Sequence, residues 1–292
     1  MSDASSAFTV RSLRDETVAV LAQAAVPDPE VDADLLIGFV LGVGRGRVQA
    51  LVVMESSVEA GDAERVRALA ARRATREPLQ HITGTAPFRS LELAVGPGVF
   101  VPRPETEQVV QFAIDALRAV PSSAPIGVDL GTGSGAIALA MATEVPHARV
   151  FAIEKSSEAI PWTRRNVEAS GATNLELVQG DLGDAFPELD GTVDVVISNP
   201  PYVPDAAIPR DPEVRLFDPP IALYGGADGL DVVRMISSVA RRLLRPGGLL
   251  VLEHGELQGA QIRDLLTTDG WRGAATHPDL TTRDRATTAL RP

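Results

Sequence analysis

The chain has 292 residues, of which 45% are hydrophobic and only 4% aromatic, and its formal net charge is −12. This length allows one large domain or two modest ones, with a core built mainly from Ala, Val, Leu and Ile. An acidic chain lacks the diffuse basic charge of proteins that grip nucleic-acid phosphates. The absence of cysteine excludes disulfides, thiolate nucleophiles and thiolate metal sites.

The N-terminal third of the chain is predicted to be helical. Apolar residues recur at helical spacing between residues 10 and 84, without strand-like alternation. We therefore expect residues 1–84 to form a helical domain, and the role expected for this domain is substrate recognition. Met1 to Thr9 lacks the basic start and apolar run of a signal peptide, and no apolar stretch of about 18 residues occurs. These features predict a cytoplasmic protein with no membrane partner.

A linker is predicted at residues 85–104. Leu91 to Val95 alternates with period two between glycines, which indicates a β-hairpin. Glu105-Thr106-Glu107 then opens an amphipathic helix that continues to Val120, and acidic residues in a first turn suit the helix dipole.

Strands and helices alternate in the predicted C-terminal domain, residues 105–292. Strands are predicted at 126–130, 150–154, 175–179, 193–198 and 249–253, and helices at 136–143, 159–170 and 232–244. This alternation is typical of a parallel, doubly wound α/β sheet, which binds ligands at the carboxyl ends of its strands.

A glycine-rich loop follows the first of these strands. The loop consists of Gly131, Thr132, Gly133, Ser134 and Gly135. Glycines at a strand-to-helix turn let the backbone approach a ligand closely, although a simple tight turn has the same composition. The spacing is neither the G-x-G-x-x-G of dinucleotide sites nor a phosphate-binding P-loop.

Acidic residues end the next two strands. Glu154 can accept both hydroxyl protons of a ribose, and Asp181 can accept a bond from an adenine amino group, with Leu182 against the ring. Taken alone, Glu154 is better explained as a solvated charge at the end of a strand. Three matching strand ends together favour an adenosine site.

The fourth strand ends in Asn199-Pro200-Pro201-Tyr202. An amide or exocyclic amino nitrogen has a delocalised lone pair, so it reacts only when both N–H bonds have acceptors and the lone pair is aligned. The Asn199 side-chain oxygen and the Pro200 carbonyl can accept those bonds, and Tyr202 can stack on the planar group. Taken alone, Asn-Pro-Pro is also a common turn.

The loop and the strand ends resemble the class I S-adenosylmethionine methyltransferases. The resemblance implies a mostly parallel seven-stranded sheet, S-adenosylmethionine as cofactor and S-adenosylhomocysteine as product. It also implies that Gly131 to Gly135 pass under the methionine part, that Asp129 lies near the methionine ammonium, and that Asn199 borders the cofactor. Capping of the loop amides is the alternative role for Asp129.

The stretch from Pro78 to Gly84, the run Val101 to Glu107 and the triplet Glu253-His254-Gly255 resemble the HemK/PrmC family. Two departures are His81 and Glu154, where the family usually has Tyr and Asp. The resemblance covers most of the chain. It implies N5-methylation of the glutamine in the Gly-Gly-Gln motif of class 1 peptide-chain release factors.

Several site assignments remain open on the sequence alone. Phe88 and Arg103 are expected near the substrate glutamine together with Asn199 to Tyr202, but Phe88 can be hairpin core and Arg103 can pair with Glu105 or Glu107. The four histidines have no metal-ligand spacing, so no metal is expected. The Pro-rich segment from the tetrapeptide to Gly226 is either a lid or a disordered surface loop.

Two other functions compete with glutamine methylation. A nucleic-acid adenine N6-methyltransferase shares the tetrapeptide, but it would need a basic groove and a recognition insertion, and neither is visible. A non-catalytic binding module would have a damaged loop or tetrapeptide, and both are intact. Nothing in the sequence demands more than a monomer.

Overall fold

The computed structural model describes residues 8–292; most of the segment Met1 to Thr9 considered above therefore lies outside the described residues. The longer helices are α1 Val10–Gln23, α2 Pro29–Leu41, α3 Arg45–Val53, α4 Ala60–Ala74, α5 Leu79–Thr83, α6 Pro104–Ala119, α7 Ala136–Glu144, α8 Ile160–Ser170, α9 Pro212–Phe217, α10 Pro220–Leu223, α11 Asp231–Leu243 and α12 Gly259–Thr268. The strands are β1 Thr85–Phe88, β2 Leu91–Ala94, β3 Ile126–Leu130, β4 Arg149–Glu154, β5 Leu175–Gln179, β6 Val193–Ser198, β7 Leu244–Glu253, β8 Arg272–Pro278 and β9 Asp284–Leu290.

The chain divides into two compact units. The first contains the residues up to Gly84 together with the later segment Arg210–Phe217. Its helix α1 starts at a capping box, in which the Thr9 hydroxyl accepts from the Ser12 amide at 3.1 Å. Buried Arg73 joins the two parts of this unit, because it donates to Asp32 and to Glu213, each at 2.7 Å.

The second unit is built on the predicted seven-stranded sheet. The strand order is β5-β4-β3-β6-β7-β9-β8, and β9 runs in the direction opposite to that of the other six strands. All six residues of β6 are buried, and one apolar cluster lies against α6 and α7 while another lies against α11 and α12. Burial on both faces explains why the central strands are continuous apolar runs.

The predicted hairpin is also present. Strands β1 and β2 pair antiparallel from Thr85 with Ala94 to Phe88 with Leu91. Arg89, in the turn, pairs with Glu144 and donates to Gln111 at 2.7 Å, so ion pairs and hydrogen bonds attach the hairpin to α6 and α7.

The sequence misplaced two features. The strand predicted at 249–253 begins earlier, because β7 starts at Leu244, and a bulge in its pairing with β6 absorbs the extra residues. The Pro-rich segment before Gly226 is neither simple loop nor disordered, because it contains α9 and α10.

Among residues 8–292, no single helix is both long and apolar enough to cross a membrane. Helices α2 and α3 meet the length and composition limits only when taken together, and they are bent by 96°.

Candidate active site

The glycine-rich loop forms the turn from β3 to α7. Gly131, Gly133 and Gly135 have φ of +78°, +56° and +87°, a region that side chains with a Cβ rarely occupy. A Cβ at Gly131 or Gly133 would meet no atom within 4 Å, so the space outside the loop is open. The amides of Gly131 and Thr132 both donate to the Ile153 carbonyl at 3.0 Å. The loop is therefore fixed on its inner side and free to receive a ligand on its outer side.

Asp129 lies fully buried just before this loop. Its Oδ2 accepts from the Thr132 hydroxyl at 2.6 Å and from the Ala138 amide at 3.1 Å. Its Oδ1 has no hydrogen-bond partner among residues 8–292, and burial raises the pKa of this carboxyl to about 7. Asp129 thus does cap local groups, and it keeps one buried oxygen that an ammonium group would satisfy.

Glu154, at the end of β4, lies against the glycine loop. Its two carboxylate oxygens accept from the Gly133 amide at 2.8 Å and from the Ser156 amide at 2.7 Å. Each oxygen retains a lone pair for a further donor. The glutamate therefore anchors the loop and can still receive the two hydroxyls of a ribose.

Asp181 and Leu182 follow β5, at the edge of the sheet beside β4. The Asp181 side chain is 42% exposed, and it accepts from Lys155 Nζ at 2.8 Å and from the Gly183 amide at 3.0 Å. The hydrogen bond from Lys155 lowers the pKa of Asp181. Leu182 packs against the core cluster on one face of the sheet. This edge of the site is more open to water than the region around Asp129.

The tetrapeptide Asn199 to Tyr202 leaves the sheet next to the glycine loop, because β6 pairs with β3. The buried Ser198 hydroxyl donates to the Leu130 carbonyl at 2.6 Å, which ties the ends of the two strands together. Gln258 donates to the Tyr202 carbonyl at 2.9 Å and accepts from the Gly255 amide at 2.9 Å. Contacts on both sides therefore hold the tetrapeptide.

Two glycines pack directly on the tetrapeptide backbone. A Cβ at Gly225 would overlap the Pro201 carbonyl, and one at Gly229 would overlap the Tyr202 carbonyl. The amino-acid sequence alone indicated no role for Gly225 or Gly229. The cluster of glycines at 225, 226 and 229 was the available signal, since such clusters often mark a close backbone approach.

Tyr202 presents a neutral phenol. Burial, followed by the charge of Glu253, raises the pKa of its hydroxyl to about 12. The ring can therefore pack or donate a hydrogen bond, but it does not act as a base near neutral pH.

Among the described residues, Arg103 pairs with neither Glu105 nor Glu107, so this alternative to a substrate contact is not what the structure shows. Its partner is buried Asp218, at 2.5 Å, and its guanidinium lies 4.8 Å from the centre of the Phe100 ring. The ion pair connects the end of the linker to the segment that follows the tetrapeptide. The partner lies 115 positions away, which sequence spacing does not reveal.

Phe88 is 0% exposed and lies in the core cluster against α6 and α7. This placement favours the hairpin-core alternative over a contact with substrate. Among residues 8–292, no group of three or more metal-ligating side chains is close enough to hold an ion. The expectation of a metal-free reaction stays a prediction.

Comparison with known proteins covers both units. A family model described as the PrmC N-terminal domain matches residues 12–84, and one described as a methyltransferase domain matches residues 124–279. A methyltransferase structure from Pyrococcus furiosus shares the fold, with a TM-score of 0.53, 21% identity, and coverage of 76% of this chain and 98% of that chain.

Two curated relatives differ in the part of the chain they match. The 4-amino-L-phenylalanine/4-methylamino-L-phenylalanine methyltransferase of Streptomyces pristinaespiralis is 46% identical over 75% of both chains. The release factor glutamine methyltransferase of Streptomyces coelicolor is 53% identical over 92% of this chain and 93% of its own. The chain therefore belongs to the release factor glutamine methyltransferase family.

Proposed function

We propose that this protein transfers a methyl group from S-adenosylmethionine to the side-chain amide nitrogen (N5) of the glutamine in the Gly-Gly-Gln motif of class 1 peptide-chain release factors. The observation that carries the proposal is the Asn199 to Tyr202 tetrapeptide, held beside the glycine loop by the pairing of β6 with β3. The match of the PrmC N-terminal domain at residues 12–84 supports a protein substrate.

The residues around the glycine loop fit the cofactor. The unpartnered Asp129 Oδ1 suits the methionine ammonium, the open outer face of the loop suits the methionine chain, and Glu154 suits the ribose. Asp181 and Leu182 border the adenine in this proposal. When bound, S-adenosylmethionine supplies a methyl group on a positively charged sulfur, which needs no metal for transfer.

The acceptor amide is aligned by the tetrapeptide. Asn199 Oδ1 and the Pro200 carbonyl accept the two N–H bonds of the glutamine amide, and this leaves its nitrogen lone pair directed at the methyl carbon. As the new N–C bond forms and the S–C bond breaks, positive charge grows on the nitrogen. The two oxygens stabilise that charge until one proton leaves for water. Neutral Tyr202 packs against the planar amide, and Pro201 stiffens the turn.

The remaining parts of the proposal concern the partner. Residues 1–84 recognise the release factor, and Arg103 acts near the glutamine loop while Asp218 holds its guanidinium. The protein acts as a monomer in the cytoplasm, without nucleic-acid or membrane partners, and its methylation serves translation termination.

A second candidate follows from the Streptomyces pristinaespiralis relative. An arylamine nitrogen also has a delocalised lone pair, so the same two acceptors can align it. That match covers 75% of this chain, whereas the release factor enzyme of Streptomyces coelicolor covers 92%, which favours the protein substrate.

The experiment is a competition between acceptors. Methyl-labelled S-adenosylmethionine is incubated with the protein and, separately, a class 1 release factor, the same factor with Gln→Ala in its Gly-Gly-Gln motif, 4-amino-L-phenylalanine, and duplex DNA. We expect label only on the unmodified factor. Equal labelling of the Gln→Ala factor, or labelling of the amino acid or DNA instead, contradicts the proposal.

A further inference from the structure

A buried polar cluster adjoins the side chain of Asn199. The sheet register pairs Ser198 of β6 with Leu252 of β7, so Asn199, just after β6, lies beside Glu253, the last residue of β7. Thr106, in the first turn of α6, reaches the same place. Thr106 and Glu253 are only 4% and 1% exposed. The cluster is therefore part of the protein interior that backs the tetrapeptide.

In this cluster, Asn199 takes part in hydrogen bonds through the NH2 end of its side-chain amide. Asn199 Nδ2 donates to Thr106 Oγ1 at 3.4 Å, and the side chains of both Asn199 and Thr106 donate to the Glu253 carboxylate. The two ends of an asparagine amide have almost the same shape, so only hydrogen bonds decide which end faces which way. A flipped amide would set its oxygen against an accepting oxygen of Glu253, where no hydrogen lies between them.

Burying Glu253 at this position is energetically unfavourable. Its Oε2 is buried without a hydrogen-bond partner in the described part of the chain. Burial raises the pKa of this carboxyl to about 7. An under-satisfied buried carboxyl lowers stability, and such groups concentrate at functional sites.

We infer that Glu253 and Thr106 are positioning residues, which hold the NH2 group of Asn199 inward so that its oxygen faces the acceptor nitrogen. The inference rests on the proposed methylation of an amide nitrogen. Glu253 acts here as a hydrogen-bond acceptor and not as a charge. A glutamine at position 253 keeps one oxygen that can accept these bonds, whereas an apolar side chain of similar length has none.

Two matched pairs of variants test the inference with purified full-length protein, release factor and S-adenosylmethionine. Thr106→Val removes the hydroxyl and Thr106→Ser keeps it; Glu253→Met removes both oxygens and Glu253→Gln keeps one. We expect kcat to fall about 10-fold in Thr106→Val and about 100-fold in Glu253→Met, because misalignment affects the transition state. The Ser and Gln variants should stay within about threefold of wild type, and all four should keep KM and cofactor Kd within about threefold.

Four results overturn the inference. The first is a wild-type kcat in both Thr106→Val and Glu253→Met. The second and third are a conservative variant, Thr106→Ser or Glu253→Gln, that loses as much kcat as its non-conservative counterpart. The fourth is a loss of cofactor affinity that parallels the loss of kcat. Glu253→Met also needs a melting curve, since loss of the folded state would lower activity for another reason. In that case the two Thr106 variants decide.

A readout without catalysis separates this inference from the proposed function. With 15N-labelled asparagine amides, the Asn199 NH2 signals are assigned by their loss in Asn199→Ala. Their exchange with water should be at least about 10-fold faster in Thr106→Val than in wild type or Thr106→Ser. Equal exchange in all three contradicts the inference. If wild-type protein methylates no release factor while this pattern holds, the proposed function fails and the orientation of Asn199 stands.

Discussion

Two fully buried carboxyls, Asp129 and Glu253, stand at the two halves of the site, and they differ in where their partners come from. Asp129 bonds Thr132 and Ala138, three and nine positions away. Glu253 bonds Asn199 and, from the first turn of α6, Thr106. Each has one oxygen without a hydrogen-bond partner among the residues that the structure describes, and burial raises the pKa of each to about 7.

The two halves of the site, one for the cofactor and one for the acceptor amide, are therefore assembled in different ways. The cofactor half is assembled by a local loop, so its oxygen is available to a ligand. The acceptor half is assembled by groups distant in sequence, and its carboxyl serves another side chain. We therefore expect substitutions in the first half to change cofactor affinity and substitutions in the second to change kcat.

The largest effect is expected for Asn199→Ala. This variant removes the oxygen that accepts from the substrate amide, so kcat should fall on the order of 1000-fold. Cofactor binding by calorimetry should remain within about threefold, because the glycine loop is unchanged. A variant with more than a tenth of wild-type kcat would show that Asn199 does not align the amide.

Asp129→Asn tests the cofactor half. The substitution keeps the shape but removes the charge offered to the methionine ammonium, so cofactor Kd should rise about 10- to 100-fold. At saturating cofactor, kcat should change by less than about threefold. If kcat falls while cofactor Kd is unchanged, Asp129 does not act through cofactor affinity, and the assignment of affinity to this half of the site is contradicted.

The stability of the ligand-free protein should depend on pH through both carboxyls. A folded pKa of about 7 lies above the ordinary value of 4.5 for a glutamate, so between these values the folded protein holds a proton on Glu253 that the unfolded chain has lost. Stability from this group is therefore present at low pH and falls as pH rises through about 7.

Glu253→Gln should remove this loss. At pH 8 its free energy of unfolding should exceed that of wild type by about 1–3 kcal/mol, and the difference should shrink toward pH 4, as measured by urea denaturation. A variant that is less stable than wild type at pH 8 would mean that the folded protein favours the charged carboxyl.

The smallest effect is expected at the exposed edge of the cofactor half. Asp181→Ala should raise cofactor Kd only about three- to tenfold, since water competes for the adenine contact there. Lys155→Ala, which leaves that carboxylate in place, should change Kd by less than about twofold. Equal losses in Asp181→Ala and Asp129→Asn would contradict the difference in exposure between these two positions.

Local pattern explains what the sequence could predict. The hairpin, the central strands and helices 136–143 and 232–244 were found because periodicity and turn glycines are short-range signals. Asp129, Glu154 and the tetrapeptide could be proposed as site residues because they lie at or beside the ends of predicted strands. What was missed depends on tertiary contacts: the pairing of Arg103 with Asp218, the approach of Gly225 and Gly229, and the helices before Gly226. Sequence spacing does not encode which distant groups meet.

Mapping the methylated atom tests the proposed function most directly. A class 1 release factor is incubated with S-adenosylmethionine and either wild-type protein or Asn199→Ala, digested, and sequenced by tandem mass spectrometry. The proposal predicts one added methyl group on the side-chain nitrogen of the Gly-Gly-Gln glutamine with wild type, and almost none with the variant. A methyl group on another residue, or equal methylation by both proteins, would contradict it.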